Sequence, residues 1–292
     1  MKEWPPIEEP ELLERLALDD AGFERYLRTL LARLPAREFE PALLARALGY
    51  PWARPPGSYL LDDEGAGLLA ALEPAARERA LAEFSDPESG RLPLLAIGSN
   101  AAPEVLAAKF AHFEAPADRA LLALSGRLHD FDVGAAAQPA LYGSLPATLF
   151  PSPGTAVATT LLWVTPAQFT QLTWSELSYR LGRLRTRFTA DEVEAELDQV
   201  LVFVSRFGNF CVDGRPVALA AVPAQGRTAP ALTQEQLLDA VAARTLGPGT
   251  DAEALLRAVC EDLAGLVPKL AAGVHREALR FESERWTPFG PA

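Results

Sequence analysis

Two stretches of this sequence join reactive residue types to a spacing that lets them act. In "LLAIGSNAAPEVLAAKF", residues 94–110, an apolar run meets Gly98-Ser99-Asn100 and passes straight into a helical pattern. A strand-to-helix junction presents backbone amides to an anion, and a glycine there lets other groups approach the main chain. The second is "QLTWSELSYR", where Glu176 ends a short helical pattern beside Trp174 and Tyr179. Taken alone, such a glutamate reads as solvated surface.

Other reactive residues read as structural. Arg180, Arg183, Arg185 and Arg187 crowd "YRLGRLRTRF", and from Arg183 they alternate with Leu, Thr and Phe at strand period. That pattern is a solvated sheet face balanced by the acidic "DEVEAELD" that follows, with Arg183 or Arg185 the candidates to hold an anionic small substrate. In "RLHDFDV", alternation puts His129 opposite Asp130 and Asp132, which argues against joint metal binding. Cys211 and Cys260 are far apart and lack nearby histidines, so they read as buried thiols rather than a disulfide or zinc site. A phosphate loop, a dinucleotide-binding glycine motif and a G-x-S-x-G elbow are all missing from the sequence. A hydrolase using Ser99 as nucleophile therefore lacks a visible base.

The elements that must position these residues follow from periodicity. Residues 8–48 read as helical, and the Pro-rich "YPWARPPGS" ends that region. A strand in "SYLLD" and a helical run to about Phe84 come next. From residue 92 the chain turns β-rich: "LPLLAIGS", "ALLALSGRLHDFDV", "ATLFPS", "AVATTLLWV", "RLRTRF", "VLVFVSRF" and "PVALAAVPA" are strands. Thr165 with Pro166 opens one short helix among them, and Thr233 with Gln236 has capping-box spacing at the start of a C-terminal helical region. Irregular mixing of strands and helices predicts an α+β fold. We divide the chain into a helical N-terminal extension (1–50), an α+β core (51–230) and a C-terminal helical region packed on it (231–292).

The composition, 49% hydrophobic over 292 residues, suffices for a large core, and a net charge of −12 argues against nucleic-acid or anionic-membrane partners. With neither a signal-peptide pattern nor a long apolar run, the expected location is cytoplasmic.

Over residues 92–222 the order of these stretches resembles the γ-glutamylcyclotransferase-like superfamily, as a divergent bacterial branch. The loop "AIGSN" matches that family's Tyr-Gly-Ser-Asn or Tyr-Gly-Ser-Leu, and "ALLALSGRLHDFDV" its next strand. "PATLFPSPGTAVATTLLWV" is similar to its central signature, and Leu172-Thr173-Trp174-Ser175-Glu176-Leu177 to Leu-Asp-x-x-Glu-Gly, with Tyr179 shortly after. The resemblance implies a mixed β-barrel/sheet core with flanking helices, a small-molecule γ-glutamyl substrate, no cofactor or metal, and cyclisation to 5-oxoproline. It implies that Glu176 is the general acid/base, a role that partial burial near Trp163, Trp174 or Tyr179 would serve by disfavouring its charged form, with Ile97, Gly98, Ser99, Asn100, Tyr142, Tyr179 and Arg183 around the substrate and Ser144 a supplementary donor. Ile97, Thr173 and Leu177 depart from the family pattern, so a ligand-binding protein without turnover, or an interaction protein acting through its N-terminal helices, stands as the alternative. Oligomeric state is left open.

Overall fold

The computed structural model describes residues 7–193 and 196–289. Three helices open the chain: α1 (Pro10–Leu16), α2 (Asp20–Leu31) and α3 (Pro41–Leu48). Proline starts α1 and α3, and the Asp19 carboxylate accepts the Gly22 N–H to cap α2. A hairpin of β1 (Tyr59–Asp62) and β2 (Gly65–Leu68) precedes α4 (Pro74–Ser85). Then come β3 (Leu92–Ala96), α5 (Pro103–Phe110), α6 (Pro116–Arg119), β4 (Leu121–Ala135), β5 (Ala147–Val164), α7 (Pro166–Ser175), β6 (Tyr179–Ala190) and β7 (Glu196–Ser205). Short strands between residues 211 and 232 lead to α8 (Gln234–Thr245) and α9 (Ala252–Gly273). Helix α9 kinks at Asp262, whose side chain accepts the Gly265 N–H and caps the following segment.

The sheet follows β5-β3-β7-β6-β4, and β4 pairs again with β5, closing a five-strand barrel. Only β3 and β7 run parallel within that ring. Strand alternation sorts the side chains into two cores. Leu95, Leu122, Leu124, Leu161, Leu184, Val200 and Val202 join the cluster that fills the barrel and continues into α8 and α9. Their neighbours Leu94, Leu121, Ala123, Leu162 and Leu201 belong to a second cluster with Leu106 and Phe110 of α5, Phe169 and Leu172 of α7, and Leu12 of α1. The chain is thus an α+β fold in which a mixed barrel/sheet core is flanked by helices.

Some strand boundaries differ from the sequence reading. The stretch expected as two strands, 147–152 and 156–164, is one strand that bows outward, because Phe131 pairs with both Pro151 and Ala156. Gly154, at φ 79°, makes the bow possible. The irregularity also undoes the expected alternation around His129. Asp132 is fully buried and takes both Arg227 nitrogens at 2.8 Å, whereas Asp130, at φ 66°, pairs with Arg285 nearer solvent. His129 bonds the Thr189 hydroxyl, so the three side chains serve three structural contacts. Hairpin strand β2 went unread, being Gly-Ala-Gly-Leu without an alternating pattern. Among the described residues no helix is long and apolar enough to cross a membrane.

Candidate active site

Glu176 owes its position to the way α7 is capped. The Thr165 hydroxyl accepts the Gln168 N–H while the Gln168 side chain accepts the Thr165 N–H, which fixes the first turn. Ten residues of helix then end at Glu176, the C-cap, and the Tyr179 N–H bonds the Glu176 carbonyl at 2.8 Å as the chain enters β6. One turn therefore fixes both Glu176 and Tyr179.

The carboxylate lies at the barrel end where β3 runs into Gly98-Ser99-Asn100. Asn100 donates its Nδ2 to Glu176 Oε1 at 2.9 Å. Lys109, in the last turn of α5, donates Nζ to Asn100 Oδ1 at 2.7 Å and to Ser175 Oγ at 2.8 Å, and stands 3.7 Å from Glu176 Oε1. Side-chain exposure is 16% for Glu176 and 21% for Lys109, so water screens the pair weakly. Burial pushes the Glu176 carboxyl above its ordinary range, against the Lys109 charge and the Asn100 hydrogen bond, which pull it back. Burial also lowers Lys109, while Glu176 raises it. A buried carboxyl that binds its proton more tightly than usual is suited to take one up and return it.

Aromatic rings build the opposite wall. Tyr50 and Tyr142 stack with centroids 6.0 Å apart, and Trp52 packs against both at 5.5 and 5.2 Å. The Tyr50 hydroxyl accepts the Ala147 N–H at 2.8 Å, and the Tyr179 hydroxyl donates to the Ala147 carbonyl at 2.9 Å. Burial raises all three tyrosines, Tyr50 to about 12, so they stay protonated donors. The loop itself is tied by Arg54, which donates to the Ile97 and Gly98 carbonyls at 2.9 and 3.2 Å.

A cleft of about 530 Å³ and a recess of about 40 Å³ open beside these groups. Ser99, Tyr142, Glu176 and Tyr179 line both, and Ile97, Gly98 and Asn100 line the recess. Seven of the eight residues named from sequence thus come together. Arg183 does not: it lies four residues beyond Tyr179 on β6, roughly 13 Å along the strand, paired in register with Thr287 and outside both linings. Of the aromatic groups considered for Glu176, Trp174 and Tyr179 border the cleft and Trp163 does not. Ser144 is committed to the Ala47 carbonyl.

Sequence reasoning missed Lys109, Tyr50, Trp52 and Arg54. Lys109 was legible only as a basic residue in a last helical turn, which favours any helix. The other three sit in a Pro-rich connector whose contacts with the loop span more than forty residues of chain.

No family model and no curated protein matches the chain. Solved structures similar to it include one described as a gamma-glutamyl cyclotransferase, at 17% identity and a TM-score of 0.31 over 39% of this chain and 66% of that one, and an uncharacterized human protein, at 18% identity and a TM-score of 0.28 over 40% of this chain and 67% of that one. The chain spans about two thirds of the length of each.

Proposed function

We propose that this protein is a γ-glutamylcyclotransferase-type enzyme with Glu176 as its general acid and base. The observation that carries the reading is the Glu176 carboxyl itself, sequestered at the end of a substrate-sized cleft, hydrogen-bonded by Asn100 and beside the Gly98–Asn100 loop. The motif order over residues 92–222 supports the same reading.

The α-amine of a γ-glutamyl group attacks its own γ-carbonyl carbon. A C–N bond forms in a five-membered ring, the bond to the departing amine breaks, and 5-oxoproline and a free amine result. The attacking nitrogen must lose a proton and the leaving nitrogen must gain one, so one carboxyl that accepts and then donates balances the reaction. Asn100 and Lys109 hold Glu176 in place, and Lys109 limits how far burial raises its proton affinity. Backbone amides of Gly98–Asn100 are the proposed donors to the developing oxyanion, with Tyr142 and Tyr179 beside them. No metal or cofactor enters the scheme.

The test is 5-oxoproline release from a panel of γ-glutamyl amino acids, γ-glutamyl amines and glutathione. Wild type should release it, and Glu176→Gln should lose about 10²- to 10⁴-fold in kcat/KM. Full activity in Glu176→Gln would overturn the assignment.

A ligand-binding protein without turnover is the second reading. Thr173, at the position of the family's aspartate, is buried and donates its hydroxyl to the Phe169 carbonyl, so it offers no acid to the cleft. Binding of a γ-glutamyl compound without release of 5-oxoproline would favour this reading.

A further inference from the structure

Helix α2 carries Phe23, Tyr26, Leu27, Leu30 and Leu31 at the spacing of a face that packs into a core. Its ends do pack. Phe23 is 3% exposed, with its ring centroid 6.1 Å from that of Phe207 and 4.9 Å from the Arg206 guanidinium carbon. Leu31 is 5% exposed and joins the cluster that fills the barrel. Between these anchors Tyr26 and Leu27 are half-buried and Leu30 is 41% exposed, all bordering the 530 Å³ cleft. The middle of α2 thus forms an apolar border of the cleft.

The facing wall is also apolar. Trp174 and Leu177 flank the turn that carries Glu176, and Leu177 adds a side chain where the resembling family has glycine. Charged side chains in the lining are Arg46, Lys109 and Glu176. Lys109 and Glu176 face each other, and Arg46 lies exposed over the Trp52 ring at 4.3 Å. Beyond those three, Ser99, Gln138, Ser175, Ser178 and Ser205 add neutral polar groups, and the rest of the lining is apolar or aromatic, so the compartment has a charged polar end at Glu176 and a largely apolar end under α2.

A γ-glutamyl carbonyl reacting at Glu176 must send whatever it is attached to into the apolar end. We infer that the substrate is a γ-glutamyl conjugate of a bulky apolar amino acid, aromatic or branched aliphatic, whose side chain is read by Leu27, Leu30 and Leu177. This specificity rests on the γ-glutamyl chemistry proposed above. A large apolar side chain displaces water from the gap beneath α2, whereas a charged or glycine-sized residue loses hydration there or leaves the gap wet.

The experiment is calorimetric titration of full-length Glu176→Gln with γ-glutamylphenylalanine, γ-glutamylleucine and γ-glutamylglycine, with 5-oxoproline release by wild type measured in parallel. The phenylalanine and leucine conjugates should bind about 10- to 100-fold more tightly than the glycine conjugate. Adding Leu30→Glu at its exposed site, or Leu27→Gln, should erase most of that preference. Equal binding of the glycine conjugate overturns the inference, as does a preference unchanged by both α2 substitutions. Unselective release of 5-oxoproline would sink the specificity and leave the reaction standing. Selective binding without release from any donor would do the reverse, and no binding by any conjugate would overturn both.

Discussion

A methyl group added at Gly98 would lie 2.3 Å from the Tyr50 hydroxyl oxygen and 3.1 Å from Ala147 Cβ. Carbon and oxygen settle at roughly 3.3 Å, so about 1 Å must be found. Tyr50 has little room to supply it: the residue is 3% exposed, packed against Tyr142 and Trp52, and its oxygen accepts the Ala147 N–H at 2.8 Å. Overpacking costs about 1–3 kcal/mol and loss of the buried hydrogen bond about 1 kcal/mol more. Gly98→Ala should therefore destabilise the fold by about 2–4 kcal/mol. Tyr50→Phe alone removes the hydroxyl and leaves the Ala147 N–H without its acceptor, a loss of about 1–3 kcal/mol. In the double variant the nearest remaining Tyr50 atom, Cζ, is 3.5 Å from the new methyl, an ordinary contact. With only the 3.1 Å approach to Ala147 Cβ left to relieve, the double variant should lie within about 1 kcal/mol of Tyr50→Phe, a coupling of about 1–3 kcal/mol. Urea unfolding of the four proteins, compared at constant m, measures it. Additivity within about 0.5 kcal/mol, or an unperturbed Gly98→Ala, would refute the argument that the Tyr50 hydroxyl is what excludes a side chain at residue 98.

Two predictions concern protons. Burial raises Glu176, so the acid limb of kcat/KM should lie above the ordinary glutamate value of 4.5. Lys109→Met removes the charge that opposes burial and should move that limb to still higher pH; a limb that stays put would mean Lys109 does not set it. Burial, aided by the Arg280 charge, pushes the His275 imidazole from 6.5 down to about 4. Because the unfolded chain binds this proton first, the contribution to stability is complete above about pH 6.5 and is lost as the pH falls toward 4. His275→Gln should flatten that part of the stability–pH curve, and an unchanged slope would discount the residue.

The sequence was legible where structure is decided locally. Thr165 with Gln168 and Thr233 with Gln236 form the capping boxes their spacing suggests. Along β6, Leu184, Thr186 and Phe188 turn inward while Arg185 and Arg187 remain exposed, as their alternation implies. The Gly98–Asn100 loop carries a local signal, glycine between a strand and a helix, whereas Glu176 alone reads as surface and gains its role through the order of motifs that resembles the γ-glutamylcyclotransferase-like superfamily; 76 residues separate it from Asn100. What escaped was long-range pairing. Arg227 reaches Asp132 across 95 residues and Tyr50 reaches Ala147 across 97, and no periodicity marks such partners. Arg183 was misplaced because a guanidinium group close in sequence to a site need not be close along an extended strand, where each residue adds roughly 3.3 Å.

Closure of the barrel also bears on how these molecules meet one another. Because β4 and β5 pair along nearly their whole length, none of the five ring strands ends the sheet's pairing path. Among the described residues, that path ends at the four-residue β2 and the two-residue strand Ala224–Gln225. Short strands make poor templates for another chain, and a net charge of −12 adds mutual repulsion. The ring that carries the Gly98–Asn100 loop thus also guards against strand-to-strand aggregation. A substitution that opened the β4–β5 seam would expose two long apolar templates, endangering colloidal stability even with Glu176 intact.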